Sequence, residues 1–343
     1  MAWDAYAIAI PPLALLACIA CIPPFVIQIQ ARNFAATILV LGIAILNLQN
    51  FINALIWASA DPSTWWHGKI LCDIEVKLYI GMGVAVDGAV ASIFRQISVI
   101  LDTERMTVTP SPRQRKVRLA IEIGLCIIIP TCVMAAHYLV QKERYWLRPS
   151  AGCTPSFDNN WVTTFLIYLW PVVSCVVGSA YCGISIYRLW RHRTEMASVL
   201  SHTPGVTTSR FFRLFALAFA LLVTYCPLAI FAFAANVSIP MHIYSWSYIH
   251  PADWNSRIII RQTAGRLSFD RWGQIATGYL LFGFFGLGPD AVRMYRAWLK
   301  PAKGFSMKCC TRRDKLPMTT KHLSNSVVVV KNSGATTIST TSS

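Results

Sequence analysis

Apolar residues fall into seven long blocks, each about as long as a helix needs to cross a bilayer at 1.5 Å per residue. They run from Tyr6 to Ile27, Phe34 to Ala58, a third centred on Leu78 to Phe94, Leu119 to Val140, Val162 to Leu189, Phe211 to Ala235 and Trp272 to Trp298. Pro11, Pro12, Pro23 and Pro24 predict kinks or ends in the first block, and Pro130, Pro171 and Pro227 fall inside later ones. Polar stretches separate the blocks: Thr107 to Arg118, Gln141 to Trp161, Trp190 to Ser209 and Asn236 to Arg271 are predicted loops. The pattern predicts an all-α, seven-transmembrane helix bundle over residues 1–299. Residues 300–343 begin basic, end Ser/Thr-rich and lack aromatics after Phe305, which predicts a short disordered tail.

The third block organises the rest. From Gly68 to Arg105 its apolar centre is interrupted by Asp87, with Lys77 one edge earlier and Arg95 at the other. An ionisable group at membrane depth is costly, so it faces a neighbouring helix or a wet cavity. That places this helix at the bundle centre. Asp87 is expected to hydrogen-bond the asparagines of the second block, with a place in a ligand cavity or in helix packing as the other reading.

Composition agrees. The chain is 55% hydrophobic and 13% charged, against about one quarter charged in soluble domains. A net charge of +16 taken alone would suggest nucleic acid. Its cations instead sit in short clusters between apolar blocks, where they orient a membrane protein, so no nucleic-acid partner is expected. With the N-terminus outside, inner segments carry 21 Lys and Arg and outer segments 8. The C-terminus is then cytosolic. The first block lacks a basic leader and runs too long for a cleavable signal peptide.

Seven of the eleven cysteines lie in apolar blocks, Cys309 and Cys310 in the basic tail, and Cys72 and Cys153 in outer segments. None shows zinc spacing, and no metal or cofactor is expected. Hydrolase, metalloprotease and phosphate-loop motifs are absent, which argues against an enzyme. The seventh block has no lysine between Trp272 and Lys300 to form a retinal Schiff base. An odd number of spans without visible repeats fits a transporter or channel poorly, although Asp87 and Lys77 keep that class as the alternative. Short basic inner loops, a Ser/Thr-rich tail and two substantial outer loops fit a receptor.

The local wording goes further. Arg32-Asn33 is followed by Asn47-Leu48-x-x-Phe51-Ile52-Asn53-Ala54-Leu55-Ile56-Trp57. Then come Trp66-x-Gly68-x-x-x-Cys72-Asp73-Ile74, Lys77-Leu78-x-x-Gly81 and Arg95. Gly152-Cys153-x-Pro155 and Ser245-Trp246-x-x-x-His250-x-x-x-Trp254 follow, and then Phe284-Phe285-Gly286-Leu287-Gly288-x-Asp290-Ala291-x-x-x-Tyr295. In this order they resemble the fungal mating-pheromone receptors of the a-factor-receptor type, class D G protein-coupled receptors. Arg95-Gln96-Ile97 departs from the family's R-x-L.

The resemblance implies a plasma-membrane receptor with two partners. One is a prenylated peptide pheromone and the other a heterotrimeric G protein; the membrane lipid surrounds it, and a homo-oligomer is left open. It implies ligand contacts at Lys77, Asp87, Trp161, Trp246, His250 and Trp254. Cys72 and Cys153 either form a disulfide or remain thiols. G-protein coupling is expected at Arg105, Arg115, Lys116, Arg191, Arg210 and Arg213, and at Arg95 unless it is a snorkelling interfacial arginine. Cys309 and Cys310 are either palmitoylated or free thiols.

Overall fold

The computed structural model describes residues 5–59, 61–102, 111–191, 208–261 and 269–299. It is mostly helical. Among the described residues six helices are long and apolar enough to cross a membrane, and a seventh candidate is a helix pair bent by 83°.

Helices α1 (Ala5–Ala20) and α2 (Ile22–Gln30) share the first span, broken at Cys21, with Pro23 and Pro24 in the first turn of α2 where their missing N–H groups cost nothing. Arg32 then adopts φ 52 and turns the chain. Asn33 caps α3 (Phe34–Ile56), its side chain accepting from the Ala36 amide at 3.3 Å. Helix α4 (Lys69–Ile100) is the axis: 67% of its most apolar window is buried, against 22% for each of the three spans that follow it. It packs on α3 and on most of the later helices.

The fourth span begins earlier than its hydropathy predicts. Ser111 and Gln114 form a reciprocal capping box around Pro112, so α5 (Pro112–Ile123) takes Arg113, Arg115, Lys116 and Arg118 out of the expected loop and onto a helix. A π turn at Gly124–Ile128 leads into α6 (Ile129–Val140). The helix α4 comes close there: a Cβ on Gly88 would lie 2.4 Å from the Leu125 carbonyl oxygen.

The expectation of an all-α chain needs correction between the fourth and fifth spans. Strands β1 (Tyr145–Arg148) and β2 (Gly152–Thr154) pair antiparallel, and β1 pairs parallel with β3 (Ile258–Ile260), giving the order β2-β1-β3. Gly152 at φ 62 lets the hairpin turn against α3, since a Cβ there would come within 2.6 Å of Asn53.

The fifth span runs through α7 (Trp161–Thr163), a π turn and α8 (Leu169–Arg191). The sixth is α9 (Thr208–Ser238), with Pro227 inside it. Arg213 thus lies within the predicted block, and Arg210, between the predicted loop and that block, joins the same helix. After α10 (Trp246–Ile249) and β3, α11 (Phe269–Leu281) continues as a π turn to Gly286. Helix α12 (Pro289–Leu299) then leaves at 83°. The seventh block is therefore not one span from Trp272 to Trp298. Pro289 lacks the N–H that would extend the preceding helix, and the chain turns at Leu287-Gly288.

Candidate functional site

Two ends of the bundle carry polar constellations. At the sheet end, Cys72 on α4 and Cys153 on β2 are joined by a disulfide, with Cα atoms 5.3 Å apart. Arg144 adds a second tie. Its Nε and Nη2 donate to the two Asp73 carboxylate oxygens at 2.9 and 2.5 Å, and Nη1 donates to the Asn255 carbonyl at 3.0 Å. Hydrogen bonding to Asp73 raises the Arg144 pKa above its ordinary value. One arginine thus fixes the start of α4 to both loops.

Against this frame stands an aromatic cluster. Trp246 and His250 stack with centroids 3.9 Å apart, and Trp254 lies 5.2 Å from His250. Tyr138 of α6 is within 6 Å of all three rings. The helix ends at Ile249, so it is the turn through His250 and Pro251 that brings Trp254 to the same side, where its indole donates to the Gln141 carbonyl at 2.9 Å. Both ring nitrogens of His250 are buried without a hydrogen-bond partner among the described residues. Burial lowers the His250 pKa and Lys77 acts in the same direction; the Tyr138 carbonyl opposes them without reaching hydrogen-bond geometry. His250 is therefore held as a neutral ring with an unused donor and an unused acceptor.

Lys77 lies beneath the cluster, its Nζ 6.0 Å from the Tyr138 centroid. It donates to His137 Nδ1 at 2.9 Å and to Gln141 Oε1 at 3.0 Å. His137 Nε2 faces the Ser156 carbonyl at 3.1 Å, so the proton belongs on Nε2 and Nδ1 is the acceptor.

Deeper, Arg271 is 2% exposed. Its Nη1 donates to Asn50 Oδ1 at 2.8 Å and its Nη2 to the Cys153 carbonyl at 3.2 Å. The guanidinium sits 4.8 Å from the Tyr79 ring centre. Its Nε is 3.5 Å from Asp270, at ion-pair distance but without hydrogen-bond geometry. Asn50 in turn donates to Gln274 Oε1 at 2.9 Å, and Asn47 to the Gln274 carbonyl at 3.0 Å. A continuous polar spine therefore joins α3, β2 and α11.

Asp87 does not join that spine. It lines a small void with Ser174, Cys175 and Tyr225, and no hydrogen bond connects it to the asparagines of α3 among the described residues. The asparagines are directed elsewhere, toward Gln274 and the Ala151 carbonyl. The hydrogen bond expected for Asp87 is thus absent among the described residues, and the helix-packing alternative fits its place facing α8 and α9.

At the far end, a cavity of about 660 Å³ is lined by Arg32, Arg115, Lys116 and Arg210 over a floor that includes Ile97 and Phe285. Arg210 Nη2 lies 2.9 Å from Asp290 Oδ2, and Arg213 Nη2 lies 3.9 Å from the same atom. Arg188 ties α8 to Asp102 at 2.9 Å.

The structure thus brings Lys77, Trp246, His250 and Trp254 together. Trp161 stays outside the cluster, exposed and packed edge-on against Phe165. Arg115, Lys116 and Arg210 share the far cavity; Arg191 is exposed beside Tyr187, and Arg95 has a buried Nη1 without a partner. Arg105, Cys309 and Cys310 lie outside the described residues. Sequence reasoning did not single out Tyr138, His137 or Arg271. The signal for His137 was available, since a polar residue inside an apolar block obeys the same rule as Asp87. Arg271 was assigned to a loop because the block was begun at Trp272.

Losing the Cys72–Cys153 closure should cost roughly 2–4 kcal/mol. A Cys153→Ser variant should therefore unfold at a lower temperature than the parent, and reductant should destabilise the parent but not the variant. Coincident unfolding of the two proteins would show that the sheet alone holds this loop.

The sequence matches the STE3, pheromone A receptor, family over residues 9–307. It is similar to the pheromone a factor receptor of Saccharomyces cerevisiae, 29% identical over 300 residues, which is 87% of this chain and 63% of that protein. It is 24% identical over 332 residues to pheromone receptor 1 of Mycosarcoma maydis, covering 93% of this chain and 90% of that one. It is 22% identical over 273 residues to the pheromone M-factor receptor of Schizosaccharomyces pombe, covering 79% and 73%. The chain spans 63% of the Saccharomyces relative and about half the length of the Schizophyllum commune pheromone receptors it also matches.

Proposed function

The chain belongs to the STE3 family of pheromone A receptors, and from that premise we propose that it is a plasma-membrane G protein-coupled receptor for a prenylated peptide mating pheromone. In this reading the sheet end faces outside and the far end the cytosol. The excess of Lys and Arg at the far end supports that orientation, and so does a disulfide at the sheet end, because disulfides persist in oxidising surroundings.

One observation carries the ligand assignment. The cluster of Tyr138, Trp246, His250 and Trp254 combines half-exposed apolar rings with an unpaired imidazole and a nearby lysine. The rings offer apolar surface to a prenyl chain, whose burial contributes about 0.8 kcal/mol per CH₂. His250 and Lys77 offer polar contacts to the peptide. Trp161 and Asp87 stand apart and are secondary candidates.

The far cavity is the proposed docking site of a heterotrimeric G protein, with Arg115 and Lys116 on its rim. Arg105, Arg191, Arg210, Arg213 and Arg95 complete the proposed coupling set. Binding outside drives opening inside only if the pheromone prefers the open state. The test is nucleotide exchange on a purified G protein by the full-length receptor in lipid, with synthetic pheromone peptides carrying or lacking the prenyl group. Prenylated peptide should stimulate exchange and the unprenylated form should require far higher concentration. Equal potency would remove the lipid from the mechanism; no exchange with either would remove the receptor assignment.

A further inference from the structure

We infer that the elbow after the seventh span holds the phosphate of an anionic membrane phospholipid, in the cavity between α12 and the end of α2. The site needs only that Phe269–Gly286 crosses the bilayer, and goes beyond the signalling role.

The 83° bend sets the geometry. If the helix before it crosses the membrane, α12 lies nearly in the plane of the interface. Its composition suits that plane. Val292, Trp298 and Leu299 are 40%, 56% and 81% exposed, and tryptophan prefers the headgroup layer. No soluble core covers these side chains among the described residues.

Between this helix and α2 opens a cavity of about 390 Å³, walled by Gln30, Arg293, Ala297 and Trp298. Its floor is apolar: Ile27 packs there with Ala291 and Met294. Arg210 and Asp290 also line the cavity, where their ion pair at 2.9 Å offsets both charges and leaves Arg293 as the cation in excess. Arg293 makes no ion pair or hydrogen bond with any described residue. One open guanidinium, one amide donor and an interfacial indole over an apolar floor match a phosphodiester carried on a lipid stem. The phosphate takes the charge and the donors, while the stem lies on Ile27 and Met294. A soluble phosphate would use the arginine and leave the floor wet. An uncharged headgroup would leave the arginine unpaired.

The test uses the full-length receptor exchanged into bilayer discs that mix phosphatidylcholine with phosphatidylinositol, followed by native mass spectrometry of the lipids it retains. The receptor should retain phosphatidylinositol in preference to phosphatidylcholine. Arg293→Gln should reduce that retention roughly fivefold, the worth of one basic residue at an anionic surface. Arg296→Gln removes the same charge from the same helix outside the cavity, and should leave retention at the parental level. Thermal unfolding of both variants checks that they remain folded. Equal loss in the two variants would reduce the effect to general surface charge and overturn the site. So would parental retention by Arg293→Gln, and so would displacement by soluble glycerophosphoinositol as effective as that by the lipid.

Discussion

Arg271→Ala should give a protein that barely survives purification. The substitution strips a 2% exposed guanidinium from two buried acceptors, Asn50 Oδ1 and the Cys153 carbonyl. It also leaves Tyr79 without the cation above its ring. Charged hydrogen bonds contribute more than neutral ones, and orphaning a buried acceptor adds its desolvation penalty. The combined loss is on the order of 3–5 kcal/mol, a large fraction of a typical folding free energy. Arg271→Lys keeps the charge but loses the fork that reaches both acceptors, so it should fall between the two. Thermal unfolding of the detergent-solubilised full-length protein, paired with the amount reaching the cell surface, reads both effects. If alanine at 271 unfolds within about 0.5 kcal/mol of the parent, the range of an ordinary surface substitution, the spine is not what joins α3 to α11.

Arg271 also shows what a linear reading can and cannot recover. The spans were legible because bilayer crossing demands long apolar runs, and the core of α4 was legible because Asp87 and Lys77 are costly in lipid. The ends of the spans were not. Hydropathy stops at the first charged residue, whereas a helix continues until its backbone runs out of partners. Arg271 and the Pro112–Arg118 segment fall to predicted loops for that reason. The capping box at Ser111 and Gln114 was visible as sequence and would have corrected one of them.

The sheet is a different case. Its strands are three or four residues long, and β1 pairs in parallel with β3 more than a hundred positions away. No local periodicity encodes such a contact. The apolar average of the seventh block hides Leu287-Gly288, where the chain turns by 83° ahead of Pro289. The aromatic cluster is half legible: the motif of Trp246, His250 and Trp254 stands in the sequence, but Tyr138 arrives from another helix. Asp87 faces α8 and α9 and not the asparagines of α3, because sequence gives the depth of a residue and not its azimuth around the helix.

On the proposed receptor reading, Asp290→Asn should raise signalling in the absence of pheromone. Asp290 Oδ2 receives Arg210 Nε at 3.2 Å and Nη2 at 2.9 Å, with Arg213 Nη2 at 3.9 Å. These contacts connect the start of α9 to the elbow that follows the seventh span. The groups are about a quarter exposed, so solvent screens them less than a surface pair and more than a buried one. A contribution of about 1–1.5 kcal/mol follows for a charge-assisted pair of this geometry. Any opening of the cavity by movement of α9 must break it. Removing a contact present only in the closed arrangement shifts the closed–open equilibrium by its full worth, about five- to tenfold. Asparagine preserves the shape of the side chain and leaves both arginines in place for the G protein, so coupling itself is not removed. Ligand-free nucleotide exchange should therefore rise about five- to tenfold, while exchange at saturating pheromone changes little because the open state is already dominant. Unchanged basal exchange in a variant that folds and responds to pheromone would mean that α9 opens without parting from α12, and that the latch is ornamental to the switch.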